Sequence, residues 1–162
     1  MTMGTEENKL FESLYEKWFS PVFAYFSVCL GSDLAEELSQ ETFMRVWTKC
    51  FQTAPDNWQA WIFRIAVNLK NDRLREKYKN TDLHSQIENN LDLKETEKLD
   101  SSLEVKEAFE ALNSDDREIL SLKAAGFSSD EIGELLGMTA SGARSRLQRA
   151  KRNFLHNLDM ED

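Results

Sequence analysis

The sequence is poor in the residues that interrupt helices, and it shows no sign of a β-sheet. Only 2 prolines and 6 glycines occur among 162 residues, so little in the chain opposes long helices. No hairpin signature and no sustained alternation of apolar and polar residues is present. The composition favours an all-α protein, and 41% hydrophobic residues can form one ordinary core or two small ones.

Other absences exclude classes of function. No apolar run approaches the roughly 20 residues that cross a bilayer, and the first residues, MTMGTEENK, are polar and unlike a signal peptide. The two cysteines, Cys29 and Cys50, lie far apart, which indicates buried thiols in a reducing cytoplasm. No phosphate loop, catalytic triad or carboxylate pair occurs. We therefore expect a cytoplasmic protein that is not an enzyme, with no catalytic residue, no cofactor, no metal and no direct membrane insertion.

What the chain does contain is a helix-turn-helix pattern over residues 128–155. Ser128 and Glu131 form an S-x-x-E capping box, which starts a helix. Gly137 can take the left-handed conformation that ends this helix, and Thr139 can cap the next one. In the second helix a buried stripe is expected at three- and four-residue steps, formed by Ala143, Leu147, Ala150, Phe154 and Leu158.

The other face of the second helix is polar and basic. Its outward side chains can reach base edges and phosphates in a major groove, and they are Ser141, Arg144, Ser145, Gln148 and Arg149. An ordinary amphipathic helix on a solvated surface would have the same periodicity. The short turn before the helix and the density of cations within it favour DNA binding.

The overall charge of −9 at pH 7 opposes binding to phosphate. The cations, however, are concentrated in two segments, residues 51–80 and 140–162. Because salt screens charges beyond about 10 Å, these two segments can still attract phosphate locally. We expect the free protein to bind DNA weakly and to need a larger partner that supplies most of the contact.

The apolar spacing predicts two small helical domains joined by a flexible linker. The first domain, residues 1–80, should contain helices over residues 10–18, 21–30, 33–51 and 58–79, with a break before Pro21 and a loop at Gln52–Asn57. Residues 81–101 have the polar, acidic composition of a linker. The second domain, residues 102–162, should add helices over residues 103–112 and 115–125 to the helix-turn-helix.

Three segments carry a resemblance to a known family. They are DLAEELSQETFMRVW at residues 33–47, WQAWIFRIAVNLKNDRLRE at residues 58–76, and ALNSDDREILSLKAAGFSSDEIGELLGMTASGARSRLQRAKRNFL at residues 111–155. In order and spacing the chain resembles the extracytoplasmic-function sigma factors, the minimal bacterial sigma factors with regions 2 and 4. The resemblance covers nearly the whole chain. It implies an alternative sigma factor that binds core RNA polymerase and promoter DNA, and it implies an anti-sigma factor as a partner.

The resemblance also implies roles for individual residues. The helix-turn-helix would read the duplex −35 element, and Glu37, Gln40 and Glu41 would dock on the large polymerase subunit, with Phe43 and Trp47 as buried support. The loop at Gln52–Asn57 would receive a flipped base of the melted −10 element, beside Arg64, Asn68 and Asn71. This helix contains both aromatic residues and cations, as suits single-stranded DNA, and its cations include Arg64, Lys70, Arg73, Arg75 and Lys77.

Some positions depart from the family pattern. Gly133 stands where the family often has Ala, and Gly142 and Ala143 stand where Thr and Val are frequent. Because glycine costs up to about 1 kcal/mol in a helix, these positions predict a marginally stable region 4 with an unusual DNA preference.

Two alternative functions remain open from the sequence. A response-regulator-type transcription factor has a similar helix-turn-helix, but it would need a receiver domain with alternating strands and helices. A sigma-like adaptor would bind polymerase or a partner without initiating transcription. Transcription from a promoter with purified core polymerase distinguishes all three.

Overall fold

The computed structural model of the protein describes residues 5–80 and 103–160. Within these residues all regular elements are helical and no strand occurs, which confirms the all-α class and leaves no room there for a receiver-type sheet. The predicted linker, residues 81–101, lies outside the described residues. No described helix has the length and the apolar character needed to cross a membrane.

Three long helices form the N-terminal half, residues 5–80. They are α1 (Thr5–Leu30), α2 (Ser32–Lys49) and α3 (Trp58–Asn80), and a short 3-10 turn at Cys50–Gln52 follows α2. Four helices form the C-terminal half, residues 103–160. They are α4 (Leu103–Glu110), α5 (Ser114–Ala124), α6 (Ser129–Leu136) and α7 (Ala140–Met160).

The predicted break before Pro21 is wrong, because α1 runs through it as one helix. Proline removes one backbone hydrogen bond from a helix interior, which disfavours this conformation. Here the residues on both sides belong to one buried stripe: Leu14 precedes the proline, and Val22, Tyr25 and Phe26 follow it with at most 1% exposure. Burial of several large side chains at about 1.5–3 kcal/mol each outweighs one lost hydrogen bond.

Aromatic side chains join α1 to α2. The ring of Tyr15 lies 5.2 Å from that of Phe43, and the ring of Phe11 lies 4.9 Å from that of Trp47, both edge to face. Phe43 is buried, as expected, but 37% of Trp47 is exposed, so the expectation that it is buried support is wrong. Trp47 lies at the rim of the aromatic cluster.

Side-chain caps define the helices of the C-terminal half. Asn113 Oδ1 accepts a hydrogen bond of 2.8 Å from the Asp116 amide at the start of α5. Ser128 and Glu131 form both hydrogen bonds of the predicted capping box at α6. Gly137 ends α6 in the left-handed conformation with φ of 73°, which confirms the prediction.

The two halves pack on each other through one continuous core. Helices α1 and α3 of the N-terminal half contact α5 and α6 of the C-terminal half. The rings of Phe63 and Phe127 meet edge to face at 5.0 Å, and both side chains are at most 1% exposed. Ile119, Leu122 and Ile132 are fully buried in the same cluster.

Candidate nucleic-acid and polymerase interface

The outward face of α7 is arranged as its periodicity predicted. Ala143, Leu147 and Ala150 are at most 5% exposed and hold the helix against the core. Phe154 and Leu158 continue the stripe but are only half-buried. All five residues predicted to read the −35 element are exposed: Ser141, Arg144, Ser145, Gln148 and Arg149. Their contact with DNA stays a prediction.

The first turn of α7 is fixed by a cap on its N-terminal side. Thr139 Oγ1 accepts a hydrogen bond of 2.9 Å from the Gly142 amide, which confirms the predicted cap. Arg146 turns away from the exposed set and lies 3.4 Å from the Asp115 carboxylate of α5. The cap and this ion pair orient the polar face at the N-terminal end of the helix, where helix-turn-helix proteins contact bases.

Gly133 is a spatial requirement of the turn, which helix propensity alone does not show, and the predicted marginal stability of region 4 stays a prediction. A Cβ atom at this position would lie 2.7 Å from the Met138 carbonyl oxygen and 3.2 Å from that of Thr139. The Gly133 carbonyl also accepts a hydrogen bond of 2.9 Å from the Met138 amide. The missing side chain therefore lets the turn fold back on α6 and sets the approach of α7.

Helix α3 presents only part of its predicted nucleic-acid face. Arg64, Asn68 and Asn71 are exposed, as a contact with the −10 element requires. Lys70, which the sequence grouped with the cations of this face, is only 7% exposed, and its ammonium lies 2.7 Å from the Glu118 carboxylate. Arg73 is half-buried and bound to α2. Some cations of α3 are therefore exposed and others form ion pairs within the protein, and helical spacing alone does not distinguish the two groups.

The loop before α3 is tied to both halves through Asn57. Asn57 Oδ1 accepts a hydrogen bond of 3.2 Å from the Ala60 amide and so caps α3. Its Nδ2 donates to Glu131 Oε2 at 3.1 Å, across to the C-terminal half. The structure therefore places one end of the predicted base-accepting loop in contact with the capping box of α6.

The predicted polymerase-docking residues form an exposed strip on α2. Glu37 and Gln40 are exposed, and the side chain of Glu41 is 42% exposed and lies 3.2 Å from Arg45. Arg73 donates a hydrogen bond of 2.8 Å to Glu37, and this bond together with the nearby charge lowers the pKa of the Glu37 carboxyl. The strip is therefore anionic and held by neighbouring arginines.

Sequence reasoning missed one residue of this strip. Met44 is 69% exposed, and it follows Gln40 and Glu41 at the spacing that places residues on one helix face. Its position could have been found, because it falls outside the buried stripe of α2, formed by Ala35, Leu38, Ser39, Thr42, Phe43 and Val46. An exposed methionine next to a charged strip is typical of a protein contact.

Among residues 5–80 and 103–160 no three His, Cys, Asp or Glu side chains come together as metal ligands. Cys29 and Cys50 are both free and buried, as expected. Burial raises the pKa of each thiol, and it does so most strongly for Cys29.

Comparison with known families identifies two matching regions. The model described as Sigma-70 region 2 matches residues 14–79, and the model described as Sigma-70, region 4 matches residues 102–154. Together these stretches span well over half of the chain. A search of curated proteins finds no match to the sequence.

Two solved structures are similar to the whole chain. One is the sigma factor RpoE from Bartonella quintana, in complex with the anti-sigma factor NepR. It is 24% identical, with a TM-score of 0.71, over 95% of this chain and 99% of that one. The other is CnrH in complex with the cytosolic domain of CnrY. It is 21% identical, with a TM-score of 0.64, over 96% of this chain and 91% of that one. At these identities the likeness concerns the fold.

Proposed function

Since this chain belongs to the sigma-70 family and has the region 2 and region 4 architecture of an extracytoplasmic-function sigma factor, we propose how its exposed faces start transcription. It is an alternative sigma factor that directs core RNA polymerase to promoters. In the proposal α7 reads the −35 element, α3 holds the melted −10 element, and α2 docks on the polymerase. The observation that carries the proposal is the exposed polar face of α7, opposite an apolar stripe in which Ala143, Leu147 and Ala150 are buried.

Arg144 and Arg149 are the strongest candidates for base reading. A guanidinium can donate two hydrogen bonds to the O6 and N7 atoms of guanine, which discriminates against the wrong base by about 1–3 kcal/mol. Ser141, Ser145 and Gln148 lie beside them and can bind phosphates or further base edges. With a net charge of −9, the protein holds DNA weakly alone, so the polymerase supplies most of the affinity.

Helix α3 would hold the separated strand at the −10 element. Arg64 supplies a charge for phosphate, and Asn68 and Asn71 supply amide groups for base edges, all three from exposed positions on the helix. The neighbouring loop at Gln52–Asn57 would receive the flipped base. Unstacking a base costs a few kcal/mol, which these contacts must offset.

Docking on the polymerase would use the strip on α2. Glu37, Gln40 and Glu41 supply acceptors and charge, and Met44 supplies an apolar contact among them. A Glu41→Lys variant should bind core polymerase more weakly while its thermal melt stays nearly unchanged, because the side chain is 42% exposed. Loss of the fold in this variant would mark Glu41 as structural and remove it from the proposal.

Control by sequestration completes the proposal. The two similar structures hold sigma factors bound to partners, NepR in one case and CnrY in the other. By analogy we propose that an anti-sigma factor binds this chain. We propose that the chain itself acts in the cytoplasm with the polymerase and has no enzymatic activity of its own. Purification from the native cell should recover a small stoichiometric partner, and deletion of that partner should raise transcription.

Run-off transcription with purified core polymerase and a promoter library tests the proposed function. The wild-type complex should select promoters with a common −35 sequence, and Arg144→Ala and Arg149→Ala should relax selection at defined base pairs. Lys151→Ala, an exposed cation of the same helix outside the set, is the matched control and should keep the selection. Binding of polymerase with no initiation would indicate an adaptor, and DNA binding as a dimer without polymerase would indicate a transcription factor of another class.

A further inference from the structure

Two consecutive carboxylates at the start of α5 hold α7 along one side. The Asp115 carboxylate lies 3.4 Å from Nη1 of Arg146. The next carboxylate, that of Asp116, accepts a hydrogen bond of 2.9 Å from Nδ2 of Asn153. Arg146 and Asn153 are about two helical turns apart, so both lie on the same side of α7. We call these four residues the aspartate clamp.

The start of α5 is a fixed anchor for the aspartate clamp. Asn113 caps the helix, with its Oδ1 atom 2.8 Å from the Asp116 amide nitrogen. The buried side chain of Arg117 donates a hydrogen bond of 3.0 Å from Nη1 to the Glu110 carbonyl oxygen at the end of α4. Asp116 itself is only 3% exposed, so its side chain is held by its surroundings. The clamp therefore ties α7 to a segment that is itself bound from two sides.

The apolar stripe of α7 leaves the rotation of the helix about its own axis loosely defined. Two of its three buried side chains are alanines, Ala143 and Ala150, and the third is Leu147. Methyl groups form a smooth surface, whereas the interlocking of larger side chains fixes how two helices fit together. On the side of the aspartate clamp, Asn157 Nδ2 adds a hydrogen bond of 3.0 Å to the Ala108 carbonyl oxygen of α4. Polar contacts beside the stripe therefore supply the orientation that the apolar contacts lack.

The rotation of α7 decides which base edges its arginines face. Arg144 and Arg149, the reading arginines of the proposed function, are exposed on the side of the helix away from the buried stripe. A helix with its side chains is about 10–12 Å in diameter, so a rotation of about 20° moves a side-chain end by about 2 Å. The length of a hydrogen bond varies by only about 0.5 Å. A small rotation is therefore enough to change the pairing of a reading arginine with guanine.

We propose that Asp115 and Asp116 set the base preference of α7 at the −35 element, as positioning residues that act through Arg146 and Asn153. The proposal rests on the proposed function, because only a helix that reads bases has a preference to set. Neither carboxylate contacts DNA in this arrangement, and Arg146 is occupied by Asp115 rather than by a phosphate. Because exposed ion pairs add little to stability, loss of the Asp115 contact should change base preference more than folding.

The orientation of α7 in the free protein tests the aspartate clamp without DNA or polymerase. Residual dipolar couplings of backbone amides vary along a helix with a period of about 3.6 residues, and the phase of this variation reports rotation about the helix axis. Arg146→Asp sets two carboxylates against each other and should shift the phase of α7 relative to α5 by about 10–20°. Asp115→Arg combined with Arg146→Asp reverses the ion pair and should restore the phase. An unchanged phase in Arg146→Asp would overturn the clamp.

The second contact of the clamp allows an exchange that keeps the net charge of the protein. Asn153→Asp places a carboxylate beside that of Asp116 and should also shift the phase of α7. Asp116→Asn combined with Asn153→Asp moves the donor to α5 and the acceptor to α7, so the hydrogen bond and the phase should return. Circular dichroism shows that each variant is folded. A folded double variant that keeps the shifted phase would remove Asp116 from the proposal.

Run-off transcription by the polymerase complex, on promoters with each −35 base pair replaced in turn, tests the effect on base preference. Arg146→Asp should lower the ratio between the best and the second-best base about tenfold at a position read by an arginine, and the reversed pair should restore it. Lys151→Asp, the same charge change at an exposed position outside the clamp, should weaken all promoters alike and keep the ratio.

Two outcomes of this experiment contradict different claims. If Arg146→Asp lowers transcription uniformly, as Lys151→Asp does, and leaves the ratio unchanged, Arg146 contacts a phosphate and the positioning role is wrong. The proposed function would still stand in that case, because the wild-type complex selects its promoters. If the wild-type complex initiates at no promoter, the proposed function fails and the role in base preference fails with it, whereas a measured phase shift would still establish the clamp.

Discussion

The two halves of the molecule are stabilised in different ways. The N-terminal half uses long helices and ring-to-ring packing, and its α2 begins after Gly31 with no side-chain cap. The C-terminal half uses shorter helices, and side chains cap the starts of α5, α6 and α7. Four amides at each helix start lack partners, which is half of the eight-residue α6 but a small part of the 26-residue α1, so a cap should matter most for α6.

The largest effect is expected when an aromatic side chain is removed from the core of the N-terminal half. Phe26→Ala should lower the free energy of unfolding by about 3–5 kcal/mol, because the ring is fully buried and its removal leaves a cavity. Denaturant unfolding measures the loss. Met44→Ala, at a position 69% exposed, is the control and should change stability by less than about 0.5 kcal/mol. Equal losses of stability in the two variants would show that burial of the side chain does not explain the effect.

In the C-terminal half the sharpest test is the turn at Gly133. Gly133→Ala should destabilise by about 1–3 kcal/mol, even though alanine has the higher helix propensity, because its Cβ would press on the Met138 carbonyl. Gly142→Ala should have the smaller effect, since its Cβ would meet only the Thr139 side-chain oxygen at 3.1 Å. Thermal melts of both variants compare them. A more stable Gly133→Ala would show that propensity governs this position.

Removal of the Ser128 cap should destabilise the short helix α6. Ser128→Ala should cost about 1 kcal/mol, since the Glu131 amide loses its acceptor at the start of α6. Ser20→Ala, at an exposed position inside α1, should leave stability unchanged or raise it by about 0.5 kcal/mol. Chemical unfolding of the two variants gives the comparison. Equal losses would show that the Ser128 hydroxyl does not stabilise α6 as a cap.

The smallest effect is expected from the exposed pair between Glu37 and Arg73. Because the pKa of Glu37 is lowered from its ordinary value of 4.5, its contribution to stability is present above pH 4.5 and lost as the pH falls through the lower folded value. A Glu37→Gln variant should lack this contribution, so its stability should fall less as the pH is lowered through this range. Stability measured against pH for both proteins checks it, and parallel curves would show that the pair contributes nothing.

Much of the local structure could be predicted from the sequence, since local signals determine it. The capping box at Ser128, the end of α6 at Gly137 and the exposed face of α7 all lie within one short segment. Contacts between distant segments could not be predicted in this way. Tyr25 and Glu118 are 93 residues apart, and no periodicity shows that Lys70 pairs with α5 while its neighbour Arg73 pairs with α2.

Gly133 shows a second limit of sequence reasoning. Propensity treats glycine as a weakness in a helix, but here a backbone carbonyl occupies the space where a side chain would be. The run through Pro21 has the same cause, since tertiary packing overrides a local preference. Both positions lie where the fold of the whole molecule, rather than the segment, determines the backbone.

One carboxylate, that of Glu131, has two partners at once. Its Oε1 accepts the Ser128 amide at 2.9 Å within α6, and its Oε2 accepts Asn57 Nδ2 at 3.1 Å from the other half. A mutation at this position therefore changes both the start of α6 and the contact between the two halves. A substitution at residue 131 affects the cap of α6 and the contact with Asn57 together. We therefore expect that a change at position 131 is accompanied by a change at position 57.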